Sequence, residues 1–348
     1  MYIPNTTWTW SFMLVAVFQA AINLALQCYV FGRFQASLLP DARNSDVSYT
    51  IPTYLALFIF GFLYQLILVW DALRLKNTIQ VIGLCIYNLG MVIYAAVEIS
   101  QVDEAIEILD NQGNIQPGLR GALKPFLIAA PCVLALGTVL LALVAWKLYD
   151  EFAWSIYKHI SADLRLKRRF LTYQIYIALL KFDFFFFLGF TVQFLVVVRK
   201  GTTPAEFGLT IAAIPITIAL LFLAAWFTQR ESTVGQVTVI AVYFAAMAYF
   251  FFKLVRMYNS PKAQYYESAR HSLTTFAVLT LLLLIVTIVV AIMCMRNFNK
   301  GLKPHVRSRR SMHGRDSLEA GKYTSYEGYH AEPHPMGAVG GPSRMTID

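Results

Sequence analysis

The chain has 348 residues, of which 57% are hydrophobic, 15% aromatic and only 14% charged, with a mean hydropathy of +0.55. A soluble domain carries roughly 25% charged residues, and here the apolar residues fall in blocks of about 20, the length a helix needs to cross about 30 Å of hydrocarbon; a soluble globular protein is excluded. The net charge of +9 does not point to nucleic acid, because the basic residues gather beside apolar segments and near the C-terminal end, as membrane proteins arrange them.

The expected fold is all-α, a polytopic transmembrane helix bundle of about eight spans over 1–300, followed by a disordered basic cytosolic tail over 301–348. The first span, about 10–31, follows "MYIPNTTWTW", which lacks the basic n-region and small-residue cleavage site of a signal peptide. Trp8 and Trp10 stand at its start as interfacial anchors. Gln19, Asn23 and Gln27 recur within it at i, i+4 and i+8, which places them in one stripe. Amides facing lipid are costly, so the stripe is expected to face the bundle. It serves either as interhelical hydrogen bonding, about 0.6–2 kcal/mol per contact, or as the polar lining of a permeation or substrate cavity.

The second and third spans, about 52–70 and 79–97, are separated by "DALRLKN" and offer Tyr64, Gln65 and Asn88 as partners for that stripe. The next segment, 98–124, reads as a loop whose Glu98, Asp103, Glu104, Glu107 and Asp110 suit a lumenal face. Its "NQGNIQPG" breaker precedes a fourth span at about 125–146. Pro131 there, and Pro215 in the sixth span, are tolerated where neighbouring helices re-satisfy the backbone. The segment 147–169 alternates apolar residues (Phe152, Trp154, Ile156, Tyr157, Ile160, Leu164) with Lys158, Arg165, Lys167, Arg168 and Arg169. It reads either as an interfacial amphipathic helix or as a charge-rich topological stop.

The fifth span, about 170–198, contains "ALLKFDFFFFLGF", with Lys181 and Asp183 inside an apolar run. Residues two apart on a helix point about 200° from each other, so the two charges cannot pair and each needs its own partner. A charge at the bilayer centre costs about 2.5–3.5 kcal/mol on insertion scales. If Arg199 and Lys200 mark the far edge, Asp183 lies about 24 Å from it, and Lys181 can snorkel. Three further spans follow at about 207–228, 234–255 and 272–294, and a seven-span arrangement with one segment on the surface stays open.

Lys and Arg counts favour both termini on the cytosolic side, with 18 on the inner segments against 10 on the outer. The sequon Asn5-Thr6-Thr7 is expected to be unmodified. In the tail, "VRSRRS" supplies Arg307, Arg309, Arg310 and Ser311 as a candidate signal, able to meet anionic lipid, coat proteins or a basophilic kinase. The four cysteines are far apart and within apolar stretches, against a disulfide framework or a zinc site. Cys294, near a helix end, is open to palmitoylation. No HExxH, GxSxG, P-loop or paired intramembrane aspartates occur, so no enzyme and no cofactor is expected. The bilayer is the expected partner, nucleic acid is not, and a homo-oligomer stays open.

Three stretches carry a resemblance: "LRLKNTIQVIGLCIYNLGMVIYAAVEISQ" (73–101), "RRFLTYQIYIALLKFDFFFFLGFTVQFL" (168–195) and "RESTVGQVTVIAVYFAAMAYFFFKLVRMY" (230–258). Over roughly 1–304 the chain resembles a fungal family of uncharacterised Golgi-apparatus membrane proteins. The resemblance implies a multi-pass protein of Golgi membranes and no assigned activity. Two functions are therefore expected as alternatives. The first is a non-enzymatic trafficking, sorting or organelle-maintenance factor working through 147–169 and the tail. The second is a small-solute or proton-coupled transporter whose path is lined by Lys181, Asp183, Gln19, Asn23, Gln27 and Asn88.

Overall fold

The structure, a computed structural model, describes residues 6–38, 46–116, 118–159, 164–197, 204–259 and 270–300, which belong to one compact unit. These residues form eight helices: α1 (Thr7–Ser37), α2 (Asp46–Arg74), α3 (Thr78–Asn111), α4 (Leu119–His159), α5 (Leu164–Val197), α6 (Pro204–Arg230), α7 (Thr233–Asn259) and α8 (Arg270–Arg296). All eight are long and apolar enough to cross a membrane. Hydrocarbon offers the backbone no hydrogen bonds, so apolar blocks of this length can only satisfy their N–H and C=O groups as helices. Residues 301–348, the expected disordered tail with Arg307, Arg309, Arg310 and Ser311, lie outside the described residues.

Local chemistry sets the helix ends. Thr6 caps α1, accepting the Thr9 N–H at 3.3 Å while Thr9 Oγ1 accepts the Thr6 N–H at 3.1 Å. Asn77 caps α3 through the Gln80 N–H. The two tight turns joining α2 to α3 and α6 to α7 each use a residue in the left-handed region, Lys76 (φ +46°) and Glu231 (φ +54°). Pro52, Pro125, Pro131 and Pro215 sit inside helices without ending them.

Two expectations need correction. Residues 98–111 are not loop but the continuation of α3. Hydropathy falls after residue 97, yet Val102, Ala105, Ile106 and Leu109 keep one face buried, so the helix continues beyond the apolar block. The segment 147–169 is likewise no separate surface helix. Its first part, to His159, prolongs α4, and Leu164 onward opens α5.

The neighbours form two four-membered rings. One runs α1–α2–α3–α4 and back to α1; the other runs α5–α6–α7–α8 and back to α5. The rings meet where α5 lies against α2 and α3, and α8 lies against α3. Phenylalanine fills that seam. Phe185 meets Tyr87 edge-on with ring centres 5.0 Å apart, and Phe276 meets Tyr94 at 4.8 Å. Glycines on the facing helices admit these rings: a Cβ on Gly83 would collide with Phe182, and one on Gly61 would stand 2.7 Å from Met91 and 3.1 Å from Phe185. This is close packing by shape, the force available where lipid is as apolar as the side chains.

The rings are also offset along α5. Arg169 donates to the Lys300 carbonyl beyond α8, Tyr176 meets Gln236 one turn into α7, and Lys181 meets Gln80 at the start of α3. At about 1.5 Å per residue, the α2–α3 turn therefore sits about 7.5 Å farther along α5 than the α6–α7 turn.

Replacing Gly83 with Leu should lower stability by about 1–3 kcal/mol through overpacking against Phe182. Adding Phe182→Ala should restore part of the loss, measured as thermal unfolding of both variants in nanodiscs.

Candidate functional site

The polar side chains inside the bundle lie along the axis of each ring. In the first ring, Asn88 of α3 is a hub for all four helices. Gln19 Nε2 of α1 donates to Asn88 Oδ1 at 2.6 Å, and Gln65 Nε2 of α2 donates to the same oxygen at 3.1 Å. Asn88 Nδ2 donates to Gln19 Oε1 at 3.2 Å and to Thr138 Oγ1 of α4 at 2.8 Å. Gly137 leaves room for this: a Cβ there would collide with the Gln19 amide. The amide stripe of α1 thus faces the ring interior, where Gln19, Asn23, Gln27 and Asn88 are all buried. Asn23 turns its Nδ2 back to the Gln19 carbonyl at 2.9 Å, leaving its Oδ1 without a protein partner.

Farther along the same axis, Gln27 Nε2 donates to Glu98 Oε2 of α3 at 3.1 Å. Glu98 is 2% exposed and is the one site carboxylate that sequence reasoning placed in a loop. The spacing that reveals it is the buried run Asn88, Met91, Ala95, Glu98, Val102, Ala105 and Leu109. Steps of three and four residues make one continuous seam, and Glu98 occupies a seam position. Beyond it, Val30, Phe34, Leu55, Val102, Ile106 and Leu127 belong to an apolar cluster that closes this end of the ring.

Lys181 and Asp183 point to opposite rings, as their angular separation requires. Lys181 Nζ pairs with Asp71 Oδ2 of α2 and donates to Gln80 Oε1 of α3 at 2.9 Å, while Gln80 Nε2 donates to Asp71 Oδ2 at 3.0 Å. The ion-paired side chains are 26% and 29% exposed, and Asp71 is three residues from the end of α2. This cation reaches an edge of the bundle. Asp71 opens "DALRLKN" and Gln80 follows it, a segment that reads in sequence only as a separator.

Asp183 is different. It is 1% exposed; Thr287 Oγ1 of α8 donates to its Oδ2 at 2.8 Å, and its Oδ1 has no protein partner. Thr287 is nine residues inside the end of α8, about 14 Å, so Asp183 lies deep within the second ring. On the same face of α5 as Asp183, a polar string leads outward. Gln236 Nε2 donates to the Tyr176 hydroxyl at 3.0 Å, and the Thr228 hydroxyl donates to Gln236 Oε1 at 2.9 Å, next to the α6–α7 turn. Tyr243 stands beside both Tyr176 and Asp183.

Asn88→Leu should cost about 1–3 kcal/mol or more, since it strands the Gln19 and Gln65 amides in an apolar interior. The triple variant Gln19→Leu, Gln65→Leu and Asn88→Leu should recover much of the loss, because no orphaned group remains; chemical or thermal denaturation in nanodiscs reads both.

No family model matches the chain, and no solved structure matches it. One curated relative carries the comparison. A UPF0658 Golgi apparatus membrane protein of Schizosaccharomyces pombe is 35% identical over 315 residues, covering 84% of this chain and 88% of the relative. The likeness covers most of both chains. The chain belongs to the UPF0658 family of Golgi apparatus membrane proteins.

Proposed function

We propose that the protein is a non-enzymatic, proton-coupled carrier of Golgi membranes, with Asp183 as the group that takes up and releases the proton. The observation that supports this reading is the placement of Asp183. It is a buried carboxylate about 14 Å inside the end of α8, with one oxygen unpartnered, at the inner end of the Thr228–Gln236–Tyr176 string. Ionisable groups at that depth are costly and mark ion or proton pathways. Lys181 is read instead as an edge clamp, since Asp71 and Gln80 already hold its ammonium. A catalytic reading has less support: Asp183 and Glu98 lie in different rings and do not form a paired acid and base. The trafficking and sorting reading draws on 147–169 and the tail, most of whose side chains lie outside the described residues.

Both ends are assigned to the cytosolic side. The α2–α3 turn, the α6–α7 turn and the end of α8 share one face of the bundle with the start of α5, and this face carries the excess of Lys and Arg. A cysteine placed at Lys76 should react with an impermeant maleimide in sealed Golgi vesicles, and one at Asn114 should react only after permeabilisation.

The carrier reading is tested in proteoliposomes enclosing a pH-sensitive dye, under an imposed proton gradient. Wild type should acidify the lumen, alone or with one member of a solute panel. Asp183→Asn should abolish the signal while melting at or above wild type, as residues kept for function at a cost to the fold do. Deletion of 301–348 should leave the flux intact. Loss of flux on tail deletion but not in Asp183→Asn would overturn the reading and favour a tail-directed role.

A further inference from the structure

A second carboxylate, in the other ring, has a geometry of its own. Glu98 and Gln27 are joined by one hydrogen bond, Gln27 Nε2 to Glu98 Oε2 at 3.1 Å. The remaining oxygen of each, Glu98 Oε1 and Gln27 Oε1, is buried with no hydrogen-bond partner. Both are acceptors when Glu98 is ionised, and neither side chain has a donor to offer the other oxygen. A carboxamide and a carboxylic acid, by contrast, are complementary: each has one donor and one acceptor side by side. One added proton supplies the donor that is missing.

We infer that Glu98 and Gln27 form a proton-binding site, in which a carboxylic acid on α3 and a carboxamide on α1 join by two antiparallel hydrogen bonds. Gln27 Nε2–H donates to Glu98 Oε2, and the acid proton on Glu98 Oε1 donates to Gln27 Oε1. The ligand is one proton, taken from water, and no other bond changes. Deprotonation leaves two acceptor oxygens opposed in an apolar interior, which is costly for both. α1 and α3 stand at opposite corners of the first ring, so the pair is a clasp across its axis.

Among the described residues, no cation stands beside Glu98 to hold it ionised. On α2 the nearby titratable group is Tyr54, which stands near Glu98 and Glu104, and on α3 itself it is Tyr94. Tyr94 links onward to Gln193 of α5 at 2.9 Å, and Gln193 to Ser272 of α8 at 2.8 Å, all uncharged. On α4 the charges are Arg120, which pairs with Asp103 and Glu107, and Lys124, which lies near Asp103. α4 also contributes Leu123 and Leu127 to the apolar cluster that contains Val102 and Ile106. From α1 the facing groups are amides, Gln27 with Asn23 one turn away. Gln101, one turn from Glu98, has neither polar atom partnered and supplies no charge.

The site is independent of the carrier reading, since Asp183 belongs to the other ring, and its test does not use transport. Infrared spectra of the full chain in nanodiscs at neutral pH, with glutamate side-chain carboxyls isotopically labelled, should show a protonated-carboxyl band. That band should vanish in Glu98→Gln and shift to higher frequency in Gln27→Leu, where the acid carbonyl loses its donor. Glu98→Gln, which keeps both hydrogen bonds as an amide pair, should melt at or above wild type, and Glu98→Ala should melt below it. A wild-type spectrum with no band assignable to Glu98 would overturn the inference. So would a melting temperature that rises with added sodium or potassium in wild type but not in Glu98→Gln, because a metal cation would then hold the two oxygens. If Glu98→Gln fails to fold, a band unmoved by Gln27→Leu overturns it equally.

Discussion

Everything in this bundle hangs on how α5 packs. Its phenylalanines enter spaces that glycines leave on the facing helices, Phe182 at Gly83 and Phe185 at Gly61, and α8 returns the contact through Phe276 against Gly189. Lipid solvates an apolar surface as well as another helix does, so rings of helices associate through shape and polar contacts rather than through the hydrophobic effect. Without this seam, α1–α4 and α5–α8 would be two bundles with little to hold them together. Because the seam is built on one helix, α5 must also carry the polar ties to each side. The Tyr64 hydroxyl donates to the Lys181 carbonyl at 2.7 Å on one side, and Thr287 binds Asp183 on the other.

The polar interior divides into groups that are satisfied and groups that are not. Asn88 uses both its oxygen and its nitrogen across three neighbouring helices, which is how a buried amide becomes structural. Lys181 is likewise held, by Asp71 and Gln80. Asp183 and Glu98 each keep one oxygen without a partner. A carboxylate in that position is not a good structural element, because its desolvation is only partly offset. The contrast between Lys181 and Asp183, two residues apart, separates clamp from candidate proton carrier more clearly than charge alone.

The offset of the two rings along α5 explains why one short stretch meets the end of one ring and the interior of the other. The α2–α3 turn rises toward Lys181, bringing the edge of the first ring to it, while α8 runs about 14 Å past Asp183. The same offset carries α3 beyond its apolar block, where Glu98 is sealed by Val102, Ile106 and their neighbours. Among the described residues, Glu98 and Asp183 are thus the carboxylates enclosed along the helices of the two rings, while Glu231 is buried at the α6–α7 turn.

Much was legible in the sequence. Eight apolar blocks dictated eight helices, since hydrocarbon permits no other way to satisfy so much backbone. The i, i+4, i+8 spacing put Gln19, Asn23 and Gln27 on one inward face, and the two-residue spacing of Lys181 and Asp183 sent them to opposite sides. The sequence also carried the seam that runs from Asn88 through Glu98 to Leu109, although hydropathy masked it: a window average records the end of an apolar block, and helix periodicity does not stop there. Only the tertiary structure decided the partners. Asp71 with Lys181, Thr287 with Asp183 and Gln27 with Glu98 are separated by 110, 104 and 71 residues. Which residues meet at such distances depends on the order of helices around each ring and on the offset between rings, and both are set by side-chain shape at the seam rather than by any local pattern.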